Sequence, residues 1–260
     1  MTTLQEIVAY KKQELAQLKQ SKSVGMLERE LKNRPPVRNF QRAIRREGHF
    51  SLIAEMKRSS PSAGPIRPDA DPVEIAKIYA NAGAQAISVL TDSKFFSGSL
   101  KDLRSIREKC SLPILRKDFL LEEYSLVEAA AAGADAILLI AAILDRKVLK
   151  RLLQFARDLA MTPLLEVHTE QEIQEALDVG ASVIGINNRD LATMKVDLKT
   201  TQRLLTNCPK DRTVVSESGL HSREDVEMVR CLGVHAILIG EEFMKSSDIA
   251  ARVKELMPCG

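Results

Sequence analysis

Short apolar segments of strand length recur along the chain, and amphipathic segments of helical length lie between them. The first apolar segment covers residues 51–56. Side chains alternate between the two faces of a strand, so Ile53, Glu55 and Lys57 share one face, while the opposite face is wholly apolar. A buried carboxylate or ammonium without a partner costs several kcal/mol. We therefore expect Glu55 and Lys57 to meet charged partners or a substrate where this strand ends.

A repeat runs through the rest of the chain. Gly83, Gly133, Gly180 and Gly233 each precede an apolar run, and they lie about fifty residues apart. A glycine in this position is typical of a helix end that is followed by a strand. Further apolar runs lie between these repeats, so that eight strands are predicted in all. Four of them are the apolar runs that follow these glycines and end at residues 90, 140, 187 and 240, and the other four are residues 51–56, 113–116, 163–167 and 213–217.

Apolar strands that alternate with amphipathic helices indicate a parallel sheet covered by helices. Eight strand and helix units favour a closed (βα)8 TIM barrel, an α/β fold that commonly has about this chain length. An open doubly wound sheet is the alternative, but no glycine-rich dinucleotide-binding turn follows the first strand. We predict a single (βα)8 barrel domain over residues 1–260, in which residues 1–48 form a helical N-terminal extension.

The extension carries three helical patterns, at residues 4–20, 26–31 and 40–46, and prolines at 35 and 36 separate the last two. After the first strand, residues 59–65 are rich in Ser, Pro and Gly, which predicts a long mobile loop. We expect the segment from Arg58 to Asp69 to act as a lid. Asp71 followed by Pro72 is typical of a helix start.

Composition and charge exclude several classes of protein. A net charge of +3 over 260 residues is too small to indicate a nucleic-acid partner. No apolar run approaches the roughly 20 residues of a membrane span, and we expect a soluble, cytoplasmic protein that does not bind membranes. The cysteines have no paired spacing and are interpreted as reduced cytosolic thiols; they are Cys110, Cys208, Cys231 and Cys259. His168, His221 and His235 lack the spacing of metal ligands and are interpreted as structural, so no metal is expected.

In a barrel of this kind, function lies at the carboxyl ends of the strands. The alternation seen in the first strand places polar side chains on the inward face at four more strand ends. These four side chains are Lys117, Glu166, Asn187 and Glu217. With Glu55 and Lys57 they make six polar groups around one opening. They comprise three carboxylates and two ammonium groups, which can neutralise one another and still leave donors for an anion.

Two glycine turns follow the last two strands, at Ser218-Gly219 and Gly240-Glu241. Backbone amides in such turns bind phosphate, and the loops after strands 7 and 8 are the usual phosphate site of this fold. Plain turns without a ligand remain the alternative at this point. Phe96, after the second strand, is either a packing residue or an aromatic wall that would suit an aromatic substrate.

The sequence resembles the indole-3-glycerol phosphate synthase family over nearly its whole length. The most specific element is Leu52-Ile-Ala-Glu55-Met-Lys57-Arg-Ser-Ser60-Pro-Ser62, and the N-terminal extension of the family is also present. Supporting motifs are Leu115-Arg-Lys117-Asp-Phe119, Leu165-Glu166-Val-His168, Ile186-Asn187-Asn-Arg189-Asp-Leu191 and Ser216-Glu217-Ser218-Gly219. The chain has no Trp, so an aromatic residue sometimes found in the extension of relatives is missing.

The resemblance implies a carboxy-lyase of tryptophan biosynthesis. The implied reaction closes 1-(2-carboxyphenylamino)-1-deoxyribulose 5-phosphate to indole-3-glycerol phosphate, with loss of carbon dioxide and water and without a cofactor. The implied catalytic residues are Glu55, Lys57, Lys117, Glu166, Asn187 and Glu217. The substrate-binding residues are Ser60, Phe96, Phe119, Leu138, Arg189 and Leu191, and the phosphate-binding residues are Ser60, Ser218, Gly219, Gly240 and Glu241. We expect a monomer that acts on this small molecule.

The required chemistry also fits the residues themselves. Ring closure needs an acid at the ketone oxygen, for which Lys117 is the candidate, and Glu55 would orient it. Lys57 and Asn187 suit the substrate carboxylate, and Glu166 suits the base of the final dehydration. Nearby carboxylates should keep Lys117 charged, whereas Lys57 and burial act in the opposite direction.

Three other functions stay open on sequence grounds. A related sugar-phosphate isomerase would need a Cys and Asp pair at the strand ends, and none is found. An aldolase would need a Schiff-base lysine, for which Lys117 is the candidate. A barrel that only binds a phosphorylated ligand would tolerate neutral replacements of Lys117 and Glu166.

Overall fold

The computed structural model describes residues 3–191 and 193–257. Its strands form a closed barrel in which every neighbouring pair is parallel. In chain order the barrel strands are β1 (Ser51–Met56), β2 (Ala86–Leu90), β3 (Ile114–Lys117), β4 (Ala136–Ile140), β5 (Thr162–Val167), β6 (Val183–Asn187), β7 (Thr213–Glu217) and β8 (Ala236–Ile239). β1 pairs with β8 as well as with β2, with Leu52 opposite Ile237 and Glu55 opposite Ser88. The predicted TIM barrel is confirmed, and the open sheet is excluded.

Helices lie between successive strands and before the first one. The extension contains α1 (Thr3–Ser21), α2 (Val24–Lys32) and α3 (Phe40–Ile44). The remaining helices are α4 (Pro72–Asn81), α5 (Ser93–Phe96), α6 (Leu100–Lys109), α7 (Glu123–Ala132), α8 (Arg146–Asp158), α9 (Glu170–Asp178), α10 (Lys199–Leu205), α11 (Arg223–Leu232), α12 (Glu241–Lys245) and α13 (Ile249–Leu256), with a short 3-10 helix at Ala141–Ile143. The predicted cap is present, since the Asp71 side chain accepts hydrogen bonds from the backbone of Val73 and Glu74.

The alternation of side chains divides the apolar residues into two cores. One set points into the barrel, where Ile53, Leu115, Leu164 and Val215 lie in one buried cluster. The other set points outward and packs against the helices, as Leu52, Ala54 and Met56 do. Phe40 and Ile44 of α3 belong to the interior cluster, so α3 closes the amino-terminal end of the barrel beneath β1. The polar residues at the opposite strand ends are therefore the ones that border an opening.

The repeated glycines end helices, as predicted. Gly83, Gly133, Gly180 and Gly233 all have positive φ, between 79° and 96°, and the next strand begins three residues after each of them. This left-handed conformation strains any residue with a Cβ, which explains glycine at the turn from helix to strand. The pattern that indicated the repeat thus has a conformational cause.

The predicted loop after β1 contains a small antiparallel hairpin, in which Ser59–Ser60 pairs with Gly64–Pro65. The segment is fastened at both ends. Arg58 contacts Asp102 at 2.5 Å and the carbonyl of Ala70 at 3.0 Å, and Arg67 donates to the carbonyl of Met244 at 3.0 Å. The part between Arg58 and Arg67 is the part that lies over the barrel opening.

Two smaller predictions concern the end of α3 and the cysteine thiols. The helix predicted to end at residue 46 ends at Ile44, because the chain turns there and Arg46 forms an isolated antiparallel bridge with His49 before β1. Cys110, Cys208 and Cys231 are free thiols. Cys259 lies outside the described residues.

Candidate active site

A cavity opens at the carboxyl ends of the barrel strands, and all of the residues predicted for the site line it. They are Glu55, Lys57, Ser60, Phe96, Lys117, Phe119, Leu138, Glu166, Asn187, Arg189, Leu191, Glu217, Ser218, Gly219, Gly240 and Glu241. The structure therefore brings together residues that span β1 to the loop after β8. It also adds Leu4 and Ile7 of α1, which the sequence did not assign to the site.

Lys117, at the end of β3, is surrounded by carboxylates. Its Nζ lies 3.2 Å from Glu217 Oε2, 3.7 Å from Glu166 Oε2 and 3.8 Å from Glu55 Oε2. These residues come from β7, β5 and β1, and each faces inward two positions after an apolar interior residue. The inward face thus changes from apolar to charged at one level of the barrel, as the alternation predicted.

This arrangement decides the charge of Lys117. Burial by itself lowers the pKa of Lys117, but the carboxylates of Glu217, Glu55 and Glu166 outweigh burial and raise it above its ordinary value. Lys117 is therefore an ammonium group at neutral pH, which agrees with the expectation that the carboxylates keep it charged. The expected opposing effect of burial on the pKa is present and is the largest single effect, but the three carboxylates together exceed it.

Glu166 and Glu217 differ in their surroundings although both are buried. Burial favours the neutral form of Glu166, but Lys117, His168 and a hydrogen bond from Asn187 lower its pKa to about 2. Burial raises the pKa of Glu217 to about 7, because the repulsion from Glu166 and Glu55 partly cancels the attraction of Lys117. At neutral pH, Glu166 is thus a carboxylate, and Glu217 is the group that can be protonated or ionised.

Glu217 has one engaged oxygen and one free oxygen. Oε2 accepts a hydrogen bond from Lys117 at 3.2 Å, whereas Oε1 is buried and has no hydrogen-bond partner among the described residues. Oε1 lies over Gly185 of β6, where an added Cβ would approach it to 2.2 Å. Gly185 therefore provides the space for the Glu217 carboxylate.

Glu55 connects the two lysines of the site. Its Oε1 lies 3.3 Å from Lys57 Nζ, and its Oε2 accepts a hydrogen bond from Ser88 at 3.3 Å and faces Lys117. A Cβ at position 240 would lie 2.8 Å from the Glu55 side chain. Gly240 thus makes room for Glu55, and its φ of −133° imposes no requirement for glycine.

The apolar wall of the cavity contains the paired rings of Phe96 and Phe119, whose centroids lie 6.2 Å apart. Lys11 of α1 joins the loops that carry them, with Nζ 3.0 Å from Asp92 Oδ2 and 2.8 Å from Asp118 Oδ1. Asp92 caps α5, which ends at Phe96, and Asp118 accepts a hydrogen bond from the Phe119 backbone amide at 2.8 Å. The N-terminal helix is thereby fixed against this wall.

Two backbone turns form the opposite rim. Ser218 and Gly219 follow β7 with φ of 66° and 80°, and Gly240 and Glu241 follow β8. An uncommon left-handed conformation at a serine is a strained feature of the kind that collects at ligand sites. An added Cβ at Gly219 would lie 2.4 Å from the Val196 side chain.

Comparison with known proteins places this site in a family. The sequence profile described as "Indole-3-glycerol phosphate synthase" matches residues 4–256. The chain belongs to the indole-3-glycerol phosphate synthase family. The membership expected from the signature around Glu55 and Lys57 is confirmed, and with it the activity, decarboxylative ring closure by a carboxy-lyase of tryptophan biosynthesis.

Individual relatives agree over their whole length. An indole-3-glycerol phosphate synthase of Desulforamulus reducens is 43% identical over 258 residues, covering 99% of this chain and 97% of the relative. One of Acetivibrio thermocellus is 46% identical, covering 97% of this chain and 98% of the relative. Among solved structures, a 3-hexulose-6-phosphate synthase of Salmonella typhimurium aligns with a TM-score of 0.65 at 12% identity, over 80% of this chain and 96% of that one. That likeness concerns the fold alone.

Three features of this synthase-family site were missed by sequence reasoning. Leu4 and Ile7 lie in the segment predicted as a helix over residues 4–20, and that prediction does not place them at the cavity. Gly185 lies within the predicted strand that follows Gly180, but no local pattern shows that it leaves space for Glu217. His168 was interpreted as structural, whereas its Nε2 lies 3.4 Å from Glu166 Oε1. Only the motif that contains both residues, Leu165-Glu166-Val-His168, gave a signal for this contact.

Metal-binding clusters and membrane-spanning helices are both absent from the described residues. In the ranges 3–191 and 193–257, no group of three or more His, Cys, Asp and Glu side chains is placed to hold a metal ion. In the same ranges no helix is both long and apolar enough to cross a membrane.

Proposed function

We propose that this synthase-family barrel acts on 1-(2-carboxyphenylamino)-1-deoxyribulose 5-phosphate, with the residues of the cavity in the roles that follow. The observation that carries the proposal is the position of Lys117 among three carboxylates next to an aromatic wall and two phosphate-type turns. The substrate has an aromatic carboxylate at one end and a phosphate at the other. The cavity offers Phe96 and Phe119 to the ring and Ser218 and Gly219 to the phosphate.

In the first step the anilino ring carbon attacks the ketone, and the C–C bond forms while negative charge develops on the ketone oxygen. Lys117 donates its proton to that oxygen. A raised pKa makes an ammonium group a weak acid towards water, but an alkoxide is a much stronger base than an amine and takes the proton readily. Glu55 and Glu217 hold the ammonium group in place during the attack.

In the second step carbon dioxide leaves. The ring carbon that bears the carboxylate is tetrahedral beside an iminium, and the electron pair of the breaking C–C bond moves into this iminium. The chain's own residues only need to hold the carboxylate in position. Lys57 and Asn187 supply a cation and an amide at the edge of the cavity for this purpose.

In the last step the hydroxyl group formed from the ketone takes a proton from the Lys57 ammonium, its C–O bond breaks to release water, and the neighbouring carbon loses a proton as the indole double bond forms. Glu166 takes that proton. In the free site the pKa of Glu166 is low because of Lys117, so the carboxylate becomes a stronger base once Lys117 has given its proton away. The acid step thus prepares the base for the dehydration, and the two residues 3.7 Å apart act in sequence.

The phosphate group lies, in this proposal, against the backbone amides of Ser218, Gly219, Gly240 and Glu241, with Ser60 and Arg189 nearby. Phe96, Phe119, Leu138 and Leu191 surround the apolar part of the substrate. We propose further that the chain is one domain and works as a cytoplasmic monomer, without a nucleic-acid partner.

We expect Gly219→Val to raise KM at least tenfold while Ser218→Ala changes it little. Gly219 has a φ of 80° and a Val196 methyl group 2.4 Å from the position of its missing Cβ, so a side chain must displace the turn and its amides. The serine variant keeps the backbone donors. Steady-state kinetics of both variants measure the effect, and small, equal changes in KM would contradict a backbone phosphate site.

We expect the segment between Arg58 and Arg67 to close over the bound ligand. Its base carries Lys57 and Ser60 of the cavity, and closure would exclude water from the iminium. Hydrogen exchange of this segment should slow when a product analogue is added. The segment from α8 serves as the comparison, and a loop that exchanges at the same rate with and without analogue would contradict the lid.

The direct test of the substrate is incubation with the anilino-deoxyribulose phosphate while indole absorbance is followed. A flat trace from folded protein would overturn the proposed substrate. Borohydride trapping with substrate tests an aldolase, because a Schiff base would attach label to Lys117. A parent protein without turnover, whose binding of the phosphorylated ligand survives neutral replacement of both Lys117 and Glu166, would indicate a binding protein.

A further inference from the structure

His168 is a buried histidine held between two carboxylates, and the proposed steps do not use it. Its side chain is 11% exposed. Nε2 lies 3.4 Å from Glu166 Oε1, and Nδ1 lies 3.4 Å from Glu172 Oε2. Neither ring nitrogen is aligned for a hydrogen bond with these oxygens, so the contacts are ion pairs whose strength depends on the charge of the ring.

The position of the ring is fixed by the start of α9. Thr169 caps this helix by accepting a hydrogen bond from the Glu172 amide at 3.2 Å, and Glu172 in turn accepts one from the His168 backbone amide at 2.5 Å. The Glu172 carboxylate therefore contacts both the backbone and the ring of His168. A residue at a strand end, which would otherwise be free to rotate, is held by the first turn of the next helix.

The two oxygens of Glu166 are approached by different cations. Lys117 reaches Oε2 at 3.7 Å, and His168 reaches Oε1 at 3.4 Å. Glu172 of α9, His168 after β5, Glu166 of β5 and Lys117 of β3 thus form, in this order, a row of alternating charge that ends in the cavity. A carboxylate with a cation at each oxygen has a defined orientation, which a base needs in order to meet its proton.

We propose that His168 is a positioning residue for the reaction, which holds the Glu166 carboxylate at the oxygen that Lys117 does not reach and is itself held by Glu172. The proposal rests on the role of Glu166 proposed above. Burial alone lowers the pKa of His168, but Glu166 and Glu172 outweigh burial and raise it to about 10 from an ordinary 6.5. The ring is therefore an imidazolium at neutral pH, and it stays one when Lys117 has lost its proton.

The activity test compares His168→Gln with the parent enzyme. Positioning contacts of this kind are worth on the order of tenfold to a hundredfold in rate. We expect kcat to fall by that factor and KM to change less, because Glu166 acts in the chemical step. A His168→Gln variant that melts like the parent and keeps more than half of the parent kcat would overturn the proposal.

The Glu172→Gln variant distinguishes a positioning role of His168 in the reaction from a purely structural role. The amide can still accept the backbone hydrogen bond but removes one charge from the ring, so the pKa of His168 falls. The imidazolium is then lost at a lower pH, and kcat of Glu172→Gln should decline as the pH rises over a range where kcat of the parent does not. Glu175→Gln is the matched control, since Glu175 lies on the same helix and its carboxylate accepts an exposed hydrogen bond from Gln171 at 3.1 Å. Identical pH profiles for all three proteins would overturn the proposal.

Proton NMR of the histidine ring gives a readout that needs no turnover. The chain has 4 histidines, and the signal lost in His168→Gln identifies the ring. In the parent this ring should remain protonated beyond pH 8 and should titrate earlier in Glu172→Gln. A ring that titrates near 6.5 in a parent whose kcat is constant through that pH would overturn the proposal. An inactive parent with the expected titration would instead refute the proposed substrate.

The positive charge of His168 also affects the free energy of unfolding, and the direction of the effect follows from the pKa of the ring. The folded-state pKa of about 10 is higher than the ordinary 6.5, so the stabilisation by His168 is complete below pH 6.5 and is lost as the pH rises towards 10. The difference in unfolding free energy between the parent and His168→Gln should therefore shrink over that range. A difference that does not change with pH would show an uncharged ring and would overturn the proposal.

Discussion

Lys117→Met is expected to lower kcat by at least about 10²–10⁴-fold, the usual contribution of general acid catalysis. Methionine keeps the length and volume of the side chain and removes the proton. The variant also leaves Glu55, Glu166 and Glu217 without their shared cation, and the loss of its attraction raises the pKa of Glu166 and of Glu217. The acid of ring closure and the charge that prepares Glu166 are lost together.

The pattern of the kinetic constants distinguishes this role from binding. A group that acts only in the transition state lowers kcat and kcat/KM about equally when it is removed. Lys57→Ala should raise KM as well, because Lys57 is proposed to hold the substrate carboxylate throughout. Steady-state kinetics on the same substrate measure both variants. A Lys117→Met enzyme that retains more than about a tenth of the parent kcat would remove Lys117 from the mechanism.

The barrel and most of its site could be predicted from the sequence because both depend on the alternation of side chains along a strand, which repeats every two residues. Ile53 followed by Glu55, and Leu164 followed by Glu166, specify which side chain enters the barrel and at which level the interior becomes polar. Strand alternation needs no knowledge of neighbouring elements. The inward position of Lys117 followed from the same rule.

The site features that could not be predicted from the sequence depend on distances between separate elements of the fold. The space at Gly185 is needed because Glu217 lies on the adjacent strand, which no local pattern of β6 reveals. The raised pKa of Lys117 reflects three carboxylates from three strands. Helix periodicity showed that α1 packs on something, but it could not show that Ile7 meets the cavity. His168 lies beyond the strand end, where alternation no longer applies.

The contacts that attach the N-terminal extension to the barrel also join separate elements, so the local sequence pattern does not predict them. Arg107 of α6 binds both oxygens of Asp135, at 2.9 and 2.7 Å, and donates to the carbonyl of Pro36. The Asp135 carboxylate also accepts the backbone amides of Arg38 and Ile114, at 2.7 and 2.9 Å. One buried carboxylate therefore joins the linker before α3 to β3 and to the helix layer.

Asp135→Ala is expected to lower the free energy of unfolding by about 3–5 kcal/mol, the usual result of breaking one half of a buried ion pair. Asp135 is fully buried and Arg107 is 7% exposed, so the substitution leaves an unpaired buried guanidinium and two backbone amides without their acceptor. Urea unfolding followed by circular dichroism measures the change.

Asp178→Ala is the matched control, because Asp178 pairs at 3.0 Å with Arg146, whose side chain is 62% exposed. An exposed pair contributes about 0–1 kcal/mol, so this variant should unfold close to the parent. Because Phe40 and Ile44 reach the barrel interior through the same linker, loosening it should also weaken the closure of the amino-terminal end. Equal unfolding free energies for Asp135→Ala and Asp178→Ala would mean that the Asp135 network adds no more than a surface pair, and that the other contacts of the extension hold it to the barrel.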